Sequence, residues 1–281
     1  MIPQRNLSLL SNRLARKGGR RIPEIILERD YCLSWFLAGL SKTPLKDILL
    51  FKGGTAIKKC YFFDYRFSED MDFTLAKEIS LEDILKQLEI VYDYIYKTSG
   101  IKFYFSRQDR HNHANTYTFF IGYEGPLPAA SNKGVKIDIT LQEKIVFPIM
   151  HKKVLQGYDE YQDIPDNAII SVYSLQEISS EKVIALLDRA RNEPRDLYDI
   201  WYLIHNKHIS LLELTGAVEQ KIEFRGEKLA GVLKEFPLKE QRLKKLWETR
   251  LFSQMSLLPE FEDIYRTVKR EFRQAGLLIR T

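Results

Sequence analysis

One junction in this chain constrains the fold more than any other segment: an apolar run over residues 48–51 leads directly into Lys52-Gly53-Gly54-Thr55. Two consecutive glycines let the backbone turn sharply, because no Cβ stands in the way. Thr55 stands where a helix can begin, and the free N–H groups at a helix start favour anions. The segment predicts a strand-to-helix turn, which is either an ordinary connection or a phosphate site. It is not a P-loop, because the Gly-Lys-Ser/Thr ending of that motif is absent.

A pair of aspartates follows fourteen residues after this turn. Asp70 and Asp72 alternate with the apolar Met71 and Phe73, and residues two apart in a strand share a face. Two carboxylates so close repel each other unless a cation lies between them, and Mg²⁺ binds carboxylates together with phosphates and water. Taken alone, the pair fits an ordinary solvent-facing strand. In this order after a glycine turn, it favours chemistry on a nucleoside triphosphate with Mg²⁺.

A third carboxylate lies on a strictly alternating strand predicted over residues 135–141. Its odd positions are apolar, and its even positions include Lys136, Asp138 and Thr140. On a strand near the aspartate pair, Asp138 would complete a cradle of three carboxylates, in which two metal ions can clamp a phosphoryl displacement. The alternative interpretation of this segment is an ordinary strand with one solvent-exposed face.

Two charged residues further along the chain are candidates for the same site. A helix is predicted over residues 180–192, which places Lys182 at the helix start, where a positive charge opposes the helix dipole. That unfavourable position suggests a phosphate ligand, and a surface lysine is the alternative. Asp196 follows Pro194 and, in isolation, is typical of a helix N-cap.

Composition bounds the function classes. The 281 residues carry a net charge of +5, which suits a polyanionic partner without requiring one. There is no run of about 18 apolar residues to span a membrane, and the first residues lack the apolar stretch of a signal peptide, so we expect a cytoplasmic protein.

Cys32 and Cys60 are predicted to be reduced core residues. His111 and His113 stand two apart in a predicted hairpin loop, as either a metal site or a mobile loop.

Hydrophobic periodicity predicts a mixed first domain over residues 1–165 and a helical second domain over residues 166–281. Residues 12–21 are basic and contain Gly18-Gly19, so an arm or loop is expected there. Ser80 is a predicted N-cap of a helix that ends near Gly100. Further strands are predicted at residues 48–51, 70–75, 101–105 and 117–123, and further helices at residues 23–40, 197–206, 211–222, 239–250 and 260–274.

Several motif blocks occur in a fixed order between residues 28 and 200. They are Glu28-Arg29-Asp30-Tyr31, Phe51-Lys52-Gly53-Gly54-Thr55-Ala56, Arg66-Phe67-Ser68-Glu69-Asp70-Met71-Asp72-Phe73, Lys136-Ile137-Asp138-Ile139, and a last stretch from Tyr173-Ser174-Leu175 through Glu181-Lys182 to Pro194-Arg195-Asp196-Leu197-Tyr198-Asp199-Ile200. With these blocks the chain resembles the AbiEii family of toxin-type nucleotidyltransferases, which includes the AbiGii and MenT toxins. The third block and the end of the last are specific, whereas the Lys-Ile-Asp block alone is not.

The resemblance implies an α+β fold: a DNA polymerase β-like nucleotidyltransferase mixed sheet with flanking helices, followed by a helical C-terminal half. It implies that Gly54 and Thr55 hold the triphosphate and that Lys182 contacts phosphate. The catalytic residues it implies are Asp70, Asp72, Lys182 and Asp196, and the Mg²⁺ ligands are Asp70, Asp72 and Asp138. The motif residues expected to join Gly54 and Thr55 in nucleotide binding are Lys52, Gly53, Arg66 and Lys136.

The resemblance also implies a function. Such a protein is a Mg²⁺-dependent toxin of a bacterial toxin–antitoxin system that transfers a nucleotide to an RNA acceptor, the 3′ end of transfer RNA, and so inhibits translation or defends against phage. The implied partner is a winged-helix antitoxin encoded alongside, which in several pairs does not bind the toxin stably. Two alternatives remain open: an enzyme of the same class acting on a small-molecule or protein hydroxyl, and a catalytically silent RNA-binding module. Three clustered carboxylates argue against the silent module.

Overall fold

The computed structural model describes residues 1–16, 19–109, 114–128 and 133–279 of the 281-residue chain. The chain divides into two compact units. The first comprises Met1–Gln142, Ile149–Val172 and Gln254–Ser256, and the second comprises Glu143–Pro148, Tyr173–Ser253 and Leu257–Thr281. The domain boundary at 165/166 stays a prediction. His111 and His113 lie outside the described residues.

The first unit contains a strand-rich core with helices on its flanks. The helices are α1 (Gln4–Arg16), α2 (Glu24–Leu40), α3 (Leu45–Ile48), α4 (Gly53–Ala56) and α5 (Leu81–Ser99), with a π-helical turn at Ile57–Tyr61. The strands are β1 (Leu49–Lys52), β2 (Met71–Leu75), β3 (Lys102–Gln108), β4 (Thr116–Glu124), β5 (Gly134–Thr140), β6 (Ile149–Lys153) and β7 (Ile169–Tyr173).

Within the described residues, the seven strands form one mixed sheet in the order β3-β4-β5-β2-β1-β7-β6. Strand β2 is antiparallel to β1 and parallel to β5. Strand β4 is antiparallel to both β3 and β5, and β1 runs parallel to β7. The predicted α+β fold with a mixed sheet and flanking helices is therefore confirmed.

The two faces of the sheet differ in burial. Phe73 of β2 and Ile137 of β5 belong to a face that is fully buried. On the same face the Phe103 ring of β3 lies 5.7 Å from the ring of Phe36 in α2 and 6.3 Å from that of Tyr92 in α5. Asp72 of β2 and the alternate positions of β5 lie on the other face and are half-exposed, whereas Thr74 of β2 is buried. One face of the sheet thus forms the core, and the other is partly open to solvent.

Helix α5 begins and ends where the local sequence predicts. Ser80 accepts a hydrogen bond from the N–H of Asp83 at 3.1 Å, and Gly100 ends the helix in the left-handed conformation at φ 77°. These two caps satisfy backbone groups that the helix itself leaves open.

Two expectations from composition concern cysteines and membrane spans. Cys32 and Cys60 are free thiols and both are buried, as predicted. Within the described part of the chain, none of the helices has both the length and the apolar character needed to cross a membrane.

Helix α1 occupies much of the region in which the basic residues suggest an arm or loop. It extends to Arg16, so that prediction is wrong for residues 12–16. Leu7 and Leu10, three residues apart, are fully buried, and Nε of Arg13 donates to Oε1 of Glu160 at 2.8 Å. The segment is therefore an amphipathic helix with a narrow apolar side, although many of its residues are basic. Lys17 and Gly18 lie outside the described residues.

Strands β6 and β7 are absent from the sequence-based prediction. Strand β7 pairs in parallel with β1, with Val172 opposite Phe51. Its sequence is largely apolar without alternation, which is typical of a strand buried on both faces. Periodicity does not distinguish such a short run from a piece of buried helix.

The second unit is helical in its described residues, as predicted. Its helices are α6 (Leu175–Leu187), α7 (Pro194–His205), α8 (Leu211–Phe224), α9 (Leu229–Val232), α10 (Glu235–Leu238), α11 (Glu240–Leu251) and α12 (Phe261–Gln274). A cluster of aromatic rings contributes to its core. The ring centroid of Phe236 lies 4.7 Å from that of Phe272 and 5.2 Å from that of Tyr265.

Helix α6 begins at Leu175 and not at residue 180. Ser174 is its N-cap and accepts a hydrogen bond from the N–H of Glu177 at 3.2 Å. A serine followed three residues later by a glutamate is a capping signal, which the sequence-based prediction overlooked. Lys182 consequently lies in the middle of the helix, and the argument from an unfavourable dipole does not hold.

Candidate active site

The glycine turn lies at the end of β1, where α4 begins directly. Gly53 adopts φ 77°, and a Cβ at this position would collide with Oδ2 of Asp72. Glycine is therefore required twice, once for the backbone conformation and once to leave room for the carboxylate. The predicted strand-to-helix turn is present, with Lys52 as the last residue of the strand.

The second glycine and the threonine of the turn contact the segment before β2. A Cβ at Gly54 would lie 2.6 Å from Nη2 of Arg66. The buried hydroxyl of Thr55 lies 2.8 Å from Oγ of Ser68 and hydrogen-bonds to the carbonyl oxygen of Asp70. The Thr55 hydroxyl thus ties the aspartate-bearing segment to the turn.

The sheet register places two of the three predicted carboxylates side by side. Asp72 of β2 pairs with Asp138 of β5 on one side and with Lys52 of β1 on the other. Paired positions of neighbouring strands share a face, so these side chains leave the sheet on the same side. Asp70 stands one residue before β2, not within it, and all three aspartates are half-buried.

Lys136 brings a positive charge to this group. Its Nζ lies 2.6 Å from Oδ2 of Asp138, and the hydroxyl of Thr118 donates to Oδ1 of the same carboxylate at 2.6 Å. Burial alone would lower the pKa of Lys136. The hydrogen bond to Asp138 and the charges of Asp138, Asp70 and Asp72 outweigh burial, so the pKa is raised. All three carboxylates therefore act on one ammonium group.

Two other predicted nucleotide-binding cations are buried near the turn. Arg66 is 3% exposed and donates from Nη1 to Oε1 of Gln254 at 2.9 Å and to the carbonyl oxygen of Phe67 at 3.2 Å. Lys52 donates from Nζ to Oγ1 of Thr140 at 3.1 Å. Protein partners therefore orient both cations.

A π-helical turn follows α4 and carries two buried lysines. Nζ of Lys58 donates to the carbonyl oxygens of Phe63 at 2.9 Å and of Tyr65 at 3.0 Å, and burial lowers the pKa of Lys58 to about 8. Lys59 forms an ion pair with Asp30 at 2.7 Å. The turn thus anchors the segment that leads to β2, and π-helical turns are frequent at functional sites.

The remaining predicted catalytic residues, Lys182 and Asp196, lie together in the second unit. Nζ of Lys182 in α6 is 2.6 Å from Oδ1 of Asp196 and 2.9 Å from Oδ2 of Asp199 in α7. Nε of Arg191 lies 2.6 Å from Oδ2 of Asp196. Burial alone would raise the pKa of Asp196, but the two cations outweigh it and the pKa is lowered. The N-cap of α7 is Glu193, so the N-cap reading of Asp196 is wrong.

Three polar residues of these clusters were missed by sequence reasoning. Thr118 becomes a neighbour of Asp138 only through strand pairing, so no local signal marks it. Ser68 stands two residues before Asp70 in sequence, and folding brings it to the hydroxyl of Thr55. Asp199 follows Asp196 by three residues, and that spacing places both side chains on one side of a helix. The spacing alone could have identified Asp199 as a second partner of Lys182.

The metal-ligating potential of the first unit depends on its aspartates. Among the residues that the structure describes, there is no group of three or more His, Cys, Asp or Glu side chains placed to hold a metal ion. Asp138 uses both of its oxygens on Lys136 and Thr118. Asp70 and Asp72 provide carboxylate oxygens, which are the donors that Mg²⁺ prefers.

Comparison with solved structures identifies the fold. MenT4, a nucleotidyltransferase toxin from Mycobacterium tuberculosis H37Rv, matches with a TM-score of 0.63 at 17% sequence identity, covering 96% of this chain and 90% of that chain. At this identity the likeness shows a shared fold. A search of curated proteins found no match.

The fold is the one seen in a nucleotidyltransferase toxin, and it places a glycine turn beside aligned carboxylates. The family model described as nucleotidyl transferase AbiEii toxin, type IV toxin–antitoxin system, matches residues 35–271. The chain therefore belongs to the AbiEii family of nucleotidyltransferase toxins, and the resemblance carried by its motif blocks is confirmed.

Proposed function

We propose that this toxin transfers a nucleotide from a nucleoside triphosphate to the 3′ hydroxyl of an RNA, with transfer RNA as the acceptor. The 3′ oxygen attacks the α-phosphorus, the bond to the bridging oxygen breaks, and pyrophosphate leaves. One observation carries the proposal: the Gly53 turn leaves room for the Asp72 carboxylate, which stands in register with Asp138.

Mg²⁺ is the proposed cofactor, and Asp70 and Asp72 are its proposed ligands. Asp138 would be the third ligand, and its oxygens bind Lys136 and Thr118 in this structure. The ion would supply neutralisation of triphosphate charge. Lys136, beside the same carboxylate, would contact phosphate.

The nucleotide is held at the glycine turn in this proposal. The absence of side chains at Gly53 and Gly54 lets the Asp72 carboxylate and the Arg66 guanidinium lie against the backbone of the turn, beside the position proposed for the phosphates. Lys52 and Arg66 add charge there, and their hydrogen bonds to neighbouring protein groups keep them in place. Thr55 acts by fixing the segment that bears Asp70.

Lys182 and Asp196 have a paired role in this proposal. Lys182 contacts phosphate, and Asp196 sets the position and charge of Lys182 through the 2.6 Å ion pair. Asp199 supports the lysine from the next turn of α7 at 2.9 Å. Positioning of charge is the main contribution that a protein makes to phosphoryl-group chemistry.

The biological setting follows from the family. As a nucleotidyltransferase toxin of a type IV toxin–antitoxin system, the protein acts in the cytoplasm, where modified transfer RNA stops translation or limits phage growth. A winged-helix antitoxin encoded alongside is the proposed partner, and it need not bind the toxin stably. The net charge of +5 suits an RNA acceptor.

The test is incubation with transfer RNA and each of the four labelled nucleoside triphosphates. We expect label on RNA from at least one nucleotide, and no labelling when magnesium is chelated before the reaction. The transfer rate should fall at least about a hundredfold in Asp72→Asn, because one carboxylate of the metal site is neutralised. Asp93→Asn, an exposed carboxylate on α5, is the matched control and should leave the rate unchanged. Label on protein instead of RNA, or full activity of Asp72→Asn, would contradict the proposal.

A further inference from the structure

The open face of the sheet continues from the carboxylates to the edge strand β3. Asp138 pairs with Thr118 of β4, and Lys136 pairs with Phe120, two residues further along β4. Both pairs lie on the face that carries Asp72, because Asp72 and Asp138 are themselves paired. The same face can therefore be followed strand by strand from β2 to β3.

A β-bulge places an arginine on this face. Tyr104 pairs with Gly122 and Phe105 with Ile121, but Phe120 is then matched by Arg107, since the register shifts between Phe105 and Arg107. Without the extra residue, strict alternation would direct Arg107 to the core face together with Phe105. Bulges commonly redirect a side chain in this way. Here the bulge brings a cation beside an aromatic ring.

The side chains at this edge combine one cation with two aromatic rings. The guanidinium carbon of Arg107 lies 4.2 Å from the centroid of the Phe120 ring. The ring of Tyr104 lies across Gly122 so closely that a Cβ at Gly122 would collide with it, and Tyr104 remains 44% exposed. We call Tyr104, Arg107 and Phe120 the aromatic strip.

We propose that the aromatic strip binds the unpaired 3′-terminal nucleotides of the RNA acceptor, by base stacking on Tyr104 and by phosphate contact with Arg107. This inference rests on the proposed function, because it takes RNA as the acceptor. Unpaired bases stack on aromatic side chains and on arginine planes, whereas bases within a duplex are already stacked. The charge of Arg107 complements phosphate, and the strip is continuous with the carboxylate face.

The size of the strip gives the length of the bound segment. Three strand spacings separate β2 from β3, which is about 14 Å. Gly122, opposite Tyr104, also lies four residues along β4 from Thr118, the partner of Asp138, which adds about 14 Å along the strands. The diagonal from Asp72 to Tyr104 is therefore about 20 Å, which at about 3.4 Å per stacked nucleotide corresponds to about six nucleotides. A short single-stranded end of RNA therefore fits the strip, and the terminal hydroxyl lies at the Asp72 end.

Binding can be measured without catalysis, by fluorescence anisotropy of a labelled single-stranded RNA of about eight nucleotides with a free 3′ hydroxyl. We expect Tyr104→Leu to weaken binding at least about fivefold and Tyr104→Phe to bind like wild type, because the phenyl ring keeps the stacking. Gly122→Ala, which displaces the Tyr104 ring without deleting it, should also weaken binding. Tyr96→Leu, on an exposed tyrosine of α5 that is 59% exposed, is the matched control and should have no effect.

The phosphate contact has its own signature in salt dependence. Loss of one phosphate contact to a single strand lowers the slope of log K against log salt by about 0.7, so Arg107→Gln should show this decrease. Arg5→Gln, an exposed arginine of α1, should keep the wild-type slope. The RNA paired to its complement should bind more weakly than the single strand.

The outcomes separate this inference from the proposed function. If Tyr104→Leu, Gly122→Ala and Arg107→Gln bind the oligonucleotide like wild type while transfer to RNA proceeds, the aromatic strip is not the acceptor site and the proposed function stands. Equal affinity for single-stranded and duplex RNA would also refute the strip. If Asp72→Asn binds the oligonucleotide like wild type but fails to transfer, and its binding still depends on Tyr104, the aromatic strip and the proposed function are both supported. If wild type neither binds the oligonucleotide nor labels RNA, the aromatic strip and the proposed function both fail.

Discussion

At the scale of single residues, Gly53 joins backbone geometry to site geometry. Its φ of 77° lies in the left-handed region, and a side chain there would meet the Asp72 carboxylate. A substitution at Gly53 thus strains the backbone and also moves the proposed metal ligand. The chain contains a control for the first effect, because Gly100 has the same φ and no atom within 4 Å of an added Cβ.

We therefore expect Gly53→Ala and Gly100→Ala to lose similar stability from the backbone, about 1–2 kcal/mol each, with a further loss for Gly53→Ala from the collision. Only Gly53→Ala should lose nucleotide transfer. Urea unfolding and the transfer assay on both variants measure the two effects. Equal activity of the two variants would show that the room beside Asp72 is not needed.

Lys136 explains how two aspartates of one sheet face coexist with a third, Asp70, just before β2. Like charges in such proximity repel, and the Lys136 ammonium group, 2.6 Å from Oδ2 of Asp138, offsets that repulsion. Burial lowers the pKa of Lys136, but the hydrogen bond to Asp138 and the charges of the three carboxylates outweigh it and the pKa is raised. That a metal ion lies among the aspartates stays a prediction. The cation that the chain itself provides is a lysine on β5.

At the scale of elements, α6 and α7 are joined by the ion pairs of Lys182. Asp196 is 1% exposed and is held between Lys182 and Arg191. Its pKa in the folded protein lies below the ordinary 3.8. A carboxyl with a lowered folded-state pKa stabilises the fold above the unfolded-state pKa, and this contribution is lost as the pH falls toward the folded-state value.

The predicted consequence is a pH-dependent effect of Asp196→Asn. At pH 7 the variant should lose about 3 kcal/mol of unfolding free energy, because a buried ion pair loses one partner. The difference from wild type should shrink as the pH drops below about 3.8, since asparagine does not titrate. Urea unfolding across this range tests the linkage, with exposed Asp93→Asn as a control that changes little. A difference in unfolding free energy that stays constant with pH would argue against the ion pair as its source.

The start of α6 and the bulge of β3 show two ways in which an element differs from its sequence-based prediction. The start of α6 has a local signal, the Ser174–Glu177 cap, which can be read from the sequence. The bulge has none, because it is defined by the pairing of β3 with β4. Arg107 accordingly received no role from sequence reasoning, although it faces the proposed acceptor.

At the scale of the whole molecule, the second unit includes a segment distant in sequence, Glu143–Pro148. Glu177 of α6 accepts hydrogen bonds from the N–H groups of Val146 at 3.0 Å and Phe147 at 2.8 Å. Its other oxygen lies 2.7 Å from Nζ of the fully buried Lys221 in α8. This buried network fastens the segment to α6 and α8.

Removal of the cation should therefore loosen the segment. We expect Lys221→Met to cost about 3–5 kcal/mol, because Glu177 keeps a buried charge without its cation. Hydrogen exchange should rise first in the segment and in α6. Lys244→Met, which removes an exposed ion pair with Glu262, should change little. If exchange in the segment is unaltered in Lys221→Met, the network does not hold it.

Consecutive residues encode the glycine turn, the caps of α5, the alternating β5 strand and, through the motif blocks, the family. Which of these features meet depends on the folded chain. Asp72 and Asp138 become partners through a parallel pairing of strands far apart in the chain, and the aromatic strip exists because a bulge shifts one register. The physical reason is that backbone conformation and periodicity are local properties, whereas register depends on long-range pairing.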